Sequence, residues 1–174
     1  YIKMAITFER ADTIDDSIFD SLFATSLDDF KAGTFLYPDT VTTDEQIKQY
    51  TKETFITNQN TNTKHGILVK KDGVAINWIA GNHNPANTYT WSLVLNGAID
   101  GSKAVFYTSE WHTNHKAYQE SIGVSKYIIP CIKGSRVDTY FTQAQANGIM
   151  LGSYTKTDHS LTGGGNTVSH SWEY

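Results

Sequence analysis

The stretch Thr88-Tyr-Thr-Trp-Ser-Leu-Val-Leu-Asn-Gly-Ala-Ile-Asp-Gly-Ser-Lys103 decides how the chain is read. Tyr89, Trp91, Leu93 and Leu95 alternate with Thr88, Thr90, Ser92 and Val94, the period-two pattern of a strand. Asn96-Gly97 and Asp100-Gly101 then punctuate a turn. Ser102 is placed to cap a helix, and Val105, Phe106, Trp111 and Tyr118 recur near helical spacing in the amphipathic run that ends at Ser121. A strand, a glycine loop and a helix in that order aim unpaired amides and the positive end of the helix dipole at the space beyond the strand, which suits a phosphate or a carboxylate. The same glycines would serve an ordinary strand-to-helix connection equally well.

On the N-terminal side, Ala5 to Arg10 reads as a strand. Asp12-Thr13 is placed to cap a helix from about Ile14, with Ile18, Phe19, Leu22 and Phe23 as its apolar stripe. Ser26 to Thr42 reads as irregular, and its aromatic segment Phe30 to Tyr37 either lines a pocket or closes the core. Thr43-Asp-Glu-Gln46 is a capping box that opens a second helix. His65 to Lys70 and Val74 to Ala80 flank Lys71-Asp72-Gly73, a hairpin signal, so these two strands and the opening strand at Thr88 form an antiparallel meander. On the C-terminal side, Lys126-Tyr-Ile-Ile-Pro-Cys-Ile132 is nearly continuous in apolar character and predicts a strand covered on both faces, with pairing interrupted at Pro130. Arg136 to Ala146 predicts a last helix closed by Asn147-Gly148, followed by two strands around Ile149 to Thr157 and Asn166 to Trp172.

Composition narrows the function classes. A length of 174 residues fits one domain over residues 1–174, and 39% hydrophobic against 18% charged residues is globular rather than disordered. The net charge of −4 offers no basic field, so nucleic acid is not an expected partner. Cys131 is the lone cysteine, which excludes an internal disulfide and reads as a packed thiol in a reducing compartment. No run is long and apolar enough for a membrane span and no signal peptide is evident, so a soluble, cytoplasmic protein is expected.

The order of elements, strand, helix, helix, three antiparallel strands, helix, strand, helix, strand, strand, resembles that of the GNAT acyltransferases over almost the whole chain. The resemblance implies an α/β (α+β) fold, with a mixed, mostly antiparallel sheet of about seven strands flanked by about four helices. It also implies acetyl-CoA as cosubstrate, a small amine or peptide as acceptor, and direct attack of the amine on the thioester through a tetrahedral intermediate. In that family the pantetheine lies between the fourth and fifth strands where they splay. Here this would place it along Trp91, Leu93, Val94 and Leu95, with the pyrophosphate at Gly97, Ala98, Gly101, Ser102 and Lys103. The family's pyrophosphate loop runs Arg or Gln, two residues, Gly, one residue, then Gly or Ala; in this chain only the central glycine, Gly101, is retained. Ala144-Gln-Ala-Asn-Gly-Ile149 resembles the family's Tyr-Glu-Lys-x-Gly-Phe, and Ala144 then stands where that family has its tyrosine acid. Tyr140, one turn earlier on the same helix face, is the substitute candidate, with a core or surface tyrosine as the other reading.

Three further features carry chemistry. His83, read as a loop residue after the third strand, is a candidate general base because imidazole titrates near neutrality. His112 and His115 are spaced to chelate a metal, but no third ligand is evident; they read as exposed helix histidines and no metal is assigned. Loop Asn82 to Asn87 and segment Phe30 to Tyr37 are expected to border the acceptor side. No nucleophile elbow, Walker loop or dinucleotide fingerprint is present. The competing class is a non-catalytic binding or virion-type module for carbohydrate or protein, suggested by Thr, Asn and aromatic richness and by the incomplete motifs; an all-β version would not need the four helices.

Overall fold

The computed structural model describes residues 5–32, 37–57, 64–97, 109–150, 152–163 and 165–174. They form β1 (Ile6–Arg10), α1 (Asp16–Lys31), α2 (Asp44–Lys52) running into a π-type turn, β2 (Lys64–Lys71), β3 (Val74–His83), β4 (Thr88–Asn96), α3 (Ser109–Ser121), β5 (Lys126–Ile132), α4 (Arg136–Ala146), β6 (Ser153–Asp158) and β7 (Thr167–Glu173). The strands make one sheet in the order β1-β2-β3-β4-β5-β7-β6. Every pair is antiparallel except β4 with β5. This is the mixed sheet and helix set expected from the sequence.

Local signals explain most boundaries. The β2–β3 hairpin turns on Asp72 and Gly73 with φ of 50° and 83°, the two left-handed residues of a tight primed turn. Thr43 and Gln46 complete their capping box at the start of α2. Helix α1 departs from expectation at both ends. It begins at Asp16 rather than Ile14 and continues to Lys31, so Phe30 is a buried helix residue stacked near Phe23 rather than part of a loop. Tyr37 donates its hydroxyl hydrogen to the Phe30 carbonyl, and it too packs on this core. Asp12 does not cap the helix. Its carboxylate is drawn to the sheet by Arg10 and by the Gly66 amide.

Strand β4 is not the simple alternating strand its sequence suggests. Ala80 pairs with Leu93 and Gly81 with Trp91, so Ser92 is an extra residue, a bulge in β4. The bulge reverses the strand's sidedness. Tyr89 and Trp91 face the core beneath α3 and α4, whereas Leu93 and Leu95 face the core beneath α1 and α2. Gly81 makes this possible because a Cβ there would stand 2.1 Å from the Thr90 carbonyl oxygen.

The parallel β4–β5 ladder is short. It joins Thr88 to Lys126, Tyr89 to Tyr127 and Thr90 to Ile128, and β5 then continues beside β7 alone as far as Ile132. Pro130, which has no amide hydrogen, lies beyond the last β4 pair and opposite Ser169 of β7. The interruption near Pro130 is therefore as expected, but the burial on both faces is not. Tyr127, Ile129 and Cys131 are buried, Ile128 and Ile132 are half-buried, and Pro130 is exposed. The reason is the placement of α1 and α2, whose core draws on β2, β3 and β4 but on no described residue of β5, β6 or β7.

Replacing Gly81 by alanine is expected to cost about 3 kcal/mol, the upper end of an overpacking penalty, because backbone rather than a movable side chain is in the way. Urea denaturation of the variant measures the loss, and a change under 0.5 kcal/mol would remove Gly81 as the determinant of the bulge.

Candidate functional site

The site follows from the parting of β4 and β5. The last β4–β5 pair joins Thr90 to Ile128, and from Ser92 to Asn96 no described strand pairs with β4 on the β5 side. Edge amides and carbonyls left this way are available to a ligand that carries amides of its own. At the far end of β4 the polar groups are already engaged. The Asn96 carbonyl accepts from Thr25 and Ser26 of α1, and the Asn96 amide donates to Ser26 Oγ at 2.9 Å. Gly97 donates its amide to the Ile76 carbonyl at 2.7 Å. A Cβ at Gly97 would meet Leu22 Cδ2 at 2.9 Å and the Ile76 carbonyl oxygen at 3.2 Å, so a larger residue here would press on α1 and β3. Its amide is thus committed to the fold. Ala98, Gly101, Ser102 and Lys103 lie outside the described residues.

The remaining β4 candidates are largely core residues. The Trp91 ring stacks on Tyr127 with centroids 5.9 Å apart and meets Trp111 and Phe141 edge-on. Leu93 and Leu95 are buried against α1, and Val94 packs on the α3 side. Their backbone, not their side chains, borders the gap between the strands.

Tyr140 of α4 reaches across to α3, where its hydroxyl is 2.7 Å from His112 Nε2 and the two rings stack 6.3 Å apart. The expectation that His112 and His115 are exposed is wrong. They are 3% and 1% exposed, because the face of α3 that carries them is the one laid on the sheet. Burial pushes His112 down from 6.5 to about 4 and His115 well below its ordinary value. Both rings are neutral near pH 7. Ala144, where the resembled motif has tyrosine, is buried in the same core.

His83 is the last residue of β3 rather than a loop residue, because the β3–β4 ladder continues past the bulge to pair it with Tyr89. Tyr89 in turn pairs with Tyr127 of β5, so His83 stands two strands from β5 at the closed end. Its ring neighbour is His65, 6.3 Å away between centroids. The structure therefore brings Tyr140 and His112 together but does not bring His83 to them.

A buried network behind the site gave no local sequence signal. Asp138 of α4 accepts from the Gly134 amide, from Lys156 Nζ and from His170 Nε2, each at 2.8 Å, and Tyr154 meets His170 Nδ1 at 2.8 Å. Burial opposes the Asp138 charge, yet the Gly134, Lys156 and His170 donors together hold its carboxyl below the usual range. Cys131 lies alongside, so a thiol, a carboxylate oxygen and a ring nitrogen fall within 4.8 Å of one another. With the Lys156 ammonium seated on the same carboxylate oxygen, this is a satisfied ionic brace rather than a cation site. Cys131 is a packed thiol, and burial raises it to about 11, so it is protonated and inert.

Neither family models nor curated proteins match this sequence. Solved structures do. The PaiA N-acetyltransferase of Thermoplasma acidophilum, crystallised with coenzyme A, is similar at a TM-score of 0.55 and 11% identity, over 97% of this chain and 99% of that one. RimL, an α-N-acetyltransferase of ribosomal protein L7/L12 solved with coenzyme A, gives 0.58 and 14% over 96% and 94%. The N-acetyltransferase PseH of Campylobacter jejuni, solved with acetyl coenzyme A, gives 0.55 and 13% over 97% and 99%. The fold is that of the GNAT acetyltransferases.

The buried histidines impose a pH dependence. His112 binds its proton near pH 6.5 when unfolded but only near 4 when folded, so the unfolded chain carries more protons between those values. Its contribution is complete above pH 6.5 and is lost as the pH falls toward 4. Melting temperature should fall over this window, and His112→Gln should flatten that limb; an unchanged slope in the variant would show that His112 is not buried neutral.

Proposed function

We propose that the chain is an acyl-CoA-dependent N-acyltransferase that moves an acetyl or related acyl group to a primary amine of a small molecule or peptide. One observation carries the reading: β4 and β5 separate after Thr90 behind a bulge at Ser92, so that among the described residues β5 beyond Ile128 pairs with β7 and not with β4. In this reading, backbone groups between Trp91 and Leu95 hold the pantetheine amides and donate to the oxygen that gains charge during transfer. Lys103, with Ala98, Gly101 and Ser102, is assigned to the pyrophosphate on the strength of the sequence alone. The thioester supplies an activated acyl group. Tyr140 is placed to deliver a proton to the departing sulfur, and His112, neutral and bonded to the same hydroxyl, orients it. The acceptor amine approaches from the α1 side, where Pro130 of β5 is exposed.

The non-catalytic reading also has an observation in its favour. Ala144 replaces the expected tyrosine, and the space between α3 and α4 is occupied by the Tyr140–His112 bond and by the rings of Trp91, Trp111 and Phe141. A binding module would keep the cosubstrate or a peptide without turning it over.

Calorimetry with CoA and acetyl-CoA, paired with a thiol-release assay over a panel of amines, separates the two. Binding with release, and a fall in kcat of about 100-fold in Tyr140→Phe with little change in KM, is the expected result. Binding without release on any amine favours the module, and no heat at millimolar CoA ends the acyltransferase reading and makes a module for another ligand the better account. Lys103→Ala should weaken CoA binding, with a loss that shrinks at high salt.

A further inference from the structure

Beneath the C-terminal half of α3 lies a second group of polar side chains, on the closed side of the sheet and about 9 Å along the helix from His112. His65 enters from β2, His83 from β3 and Tyr118 from α3. Three of their atoms, His65 Nε2, His83 Nε2 and the Tyr118 hydroxyl, are buried without any hydrogen-bond partner. An unpaired buried polar atom costs about 1–3 kcal/mol, so three together call for an occupant. His65 itself is 4% exposed.

The occupant can be narrowed by the state of the rings. The Asp12 carboxylate stands 3.4 Å from His65 Nδ1, a charge contact that favours the ring hydrogen on that nitrogen and the lone pair on Nε2. Asp12 is fixed in turn by Arg10, through bonds of 2.9 to 3.1 Å, and by the Gly66 amide. A carboxylate on one imidazole nitrogen and a bare lone pair on the other is the usual outer support of a metal-binding histidine. The ring centres of His65 and His83 are 6.3 Å apart and inclined by 57°. Two imidazoles sharing zinc at about 2.0–2.1 Å and a tetrahedral angle have centres about 5 Å apart, so the two rings must close by about 1 Å to share an ion. The Tyr118 ring stacks on His65 with centres 6.4 Å apart, and its buried hydroxyl brings a phenol oxygen to the same cluster. The Arg10 charge opposes a cation, but Asp12 neutralises it through the bidentate pair.

We propose that His65, His83 and Tyr118 form a binding site for a divalent transition metal of the zinc class, with one coordination position left for water or a small anion. The site fastens α3 to the ends of β2 and β3, and it stands independently of the acyltransferase reading.

The test is a cobalt(II) titration of the full chain, followed by visible absorption and by melting temperature. One equivalent should bind with a tetrahedral-type spectrum and raise the melting temperature. Tyr118→Phe should shift the spectrum, and Asp12→Asn should weaken binding about 10- to 100-fold. His65→Ala removes a fully packed ring, so the decisive variant is His83→Ala at the half-buried end of β3; it should retain the native circular dichroism and lose the cobalt spectrum. No cobalt uptake by the wild-type protein, uptake unchanged in His83→Ala, or a thiolate charge-transfer band placing the ion at Cys131 would each overturn the proposal.

Discussion

The approach of the Thr90 carbonyl to Gly81 is the contact on which the candidate site depends. Any side chain at position 81 would collide with that oxygen, so the two strands can come this close only at a glycine. The close approach accompanies one extra residue in β4, and the extra residue transfers the second half of the strand to the other core. Below the bulge, Tyr89 and Trp91 are held by the layer of α3 and α4. Above it, Leu93 and Leu95 are held by α1, and Thr25 and Ser26 secure the last carbonyl. A strand gripped from opposite sides along its length cannot follow a straight neighbour. The end of β4–β5 pairing at Thr90 and Ile128 is where that conflict is relieved.

Much of the fold was legible because it rests on local chemistry. The Asp72-Gly73 turn, the Thr43–Gln46 box and the Asn147-Gly148 stop each act within a few residues, and each stands where the sequence places it. The bulge was not legible. Tyr89, Trp91, Leu93 and Leu95 keep a perfect alternation in sequence, and only the partner strand reveals that Ser92 is supernumerary. The burial of Pro130 was misjudged for a related reason, since an apolar run cannot say whether a helix exists to cover its second face. Within the candidate site, Tyr140 was legible from its helix position. Its partner His112 was not, because the contact joins residues 28 apart.

Helix α3 shows how a polarity pattern can mislead. Its inward face carries Trp111, His112, His115 and Gln119, three of them polar, so a reading that sends polar residues outward assigns them to solvent. The protein instead buries them, and the histidines remain neutral because imidazole is the one basic side chain that can shed its charge at small cost near neutral pH. A lysine at either position would have to be paired or expelled. The choice of histidine gives α3 polar atoms on its buried face without buried charge. The Tyr140 contact depends on this.

The two halves of the sheet are stabilised differently, and the difference bears on access to the site. The β2–β4 half is packed on both faces, with Trp78, Leu93 and Leu95 buried against α1 while Ile67, Val69 and Trp91 are buried on the α3 side. Among the described residues the β5–β7 half is packed on one face only, and on that face the Asp138 network substitutes ionic bonds for part of the apolar contact. Local opening follows the number of buried apolar contacts, so amide exchange should be slowest in β3 and faster in β6, whose residues are mostly exposed. Under the proposed acyltransferase reading, an acceptor arriving on the α1 side would meet a rigid edge in β4 and a more yielding one in β5. In that reading the thinly covered half would lie where the second substrate enters, and the doubly covered half where backbone donors hold their positions.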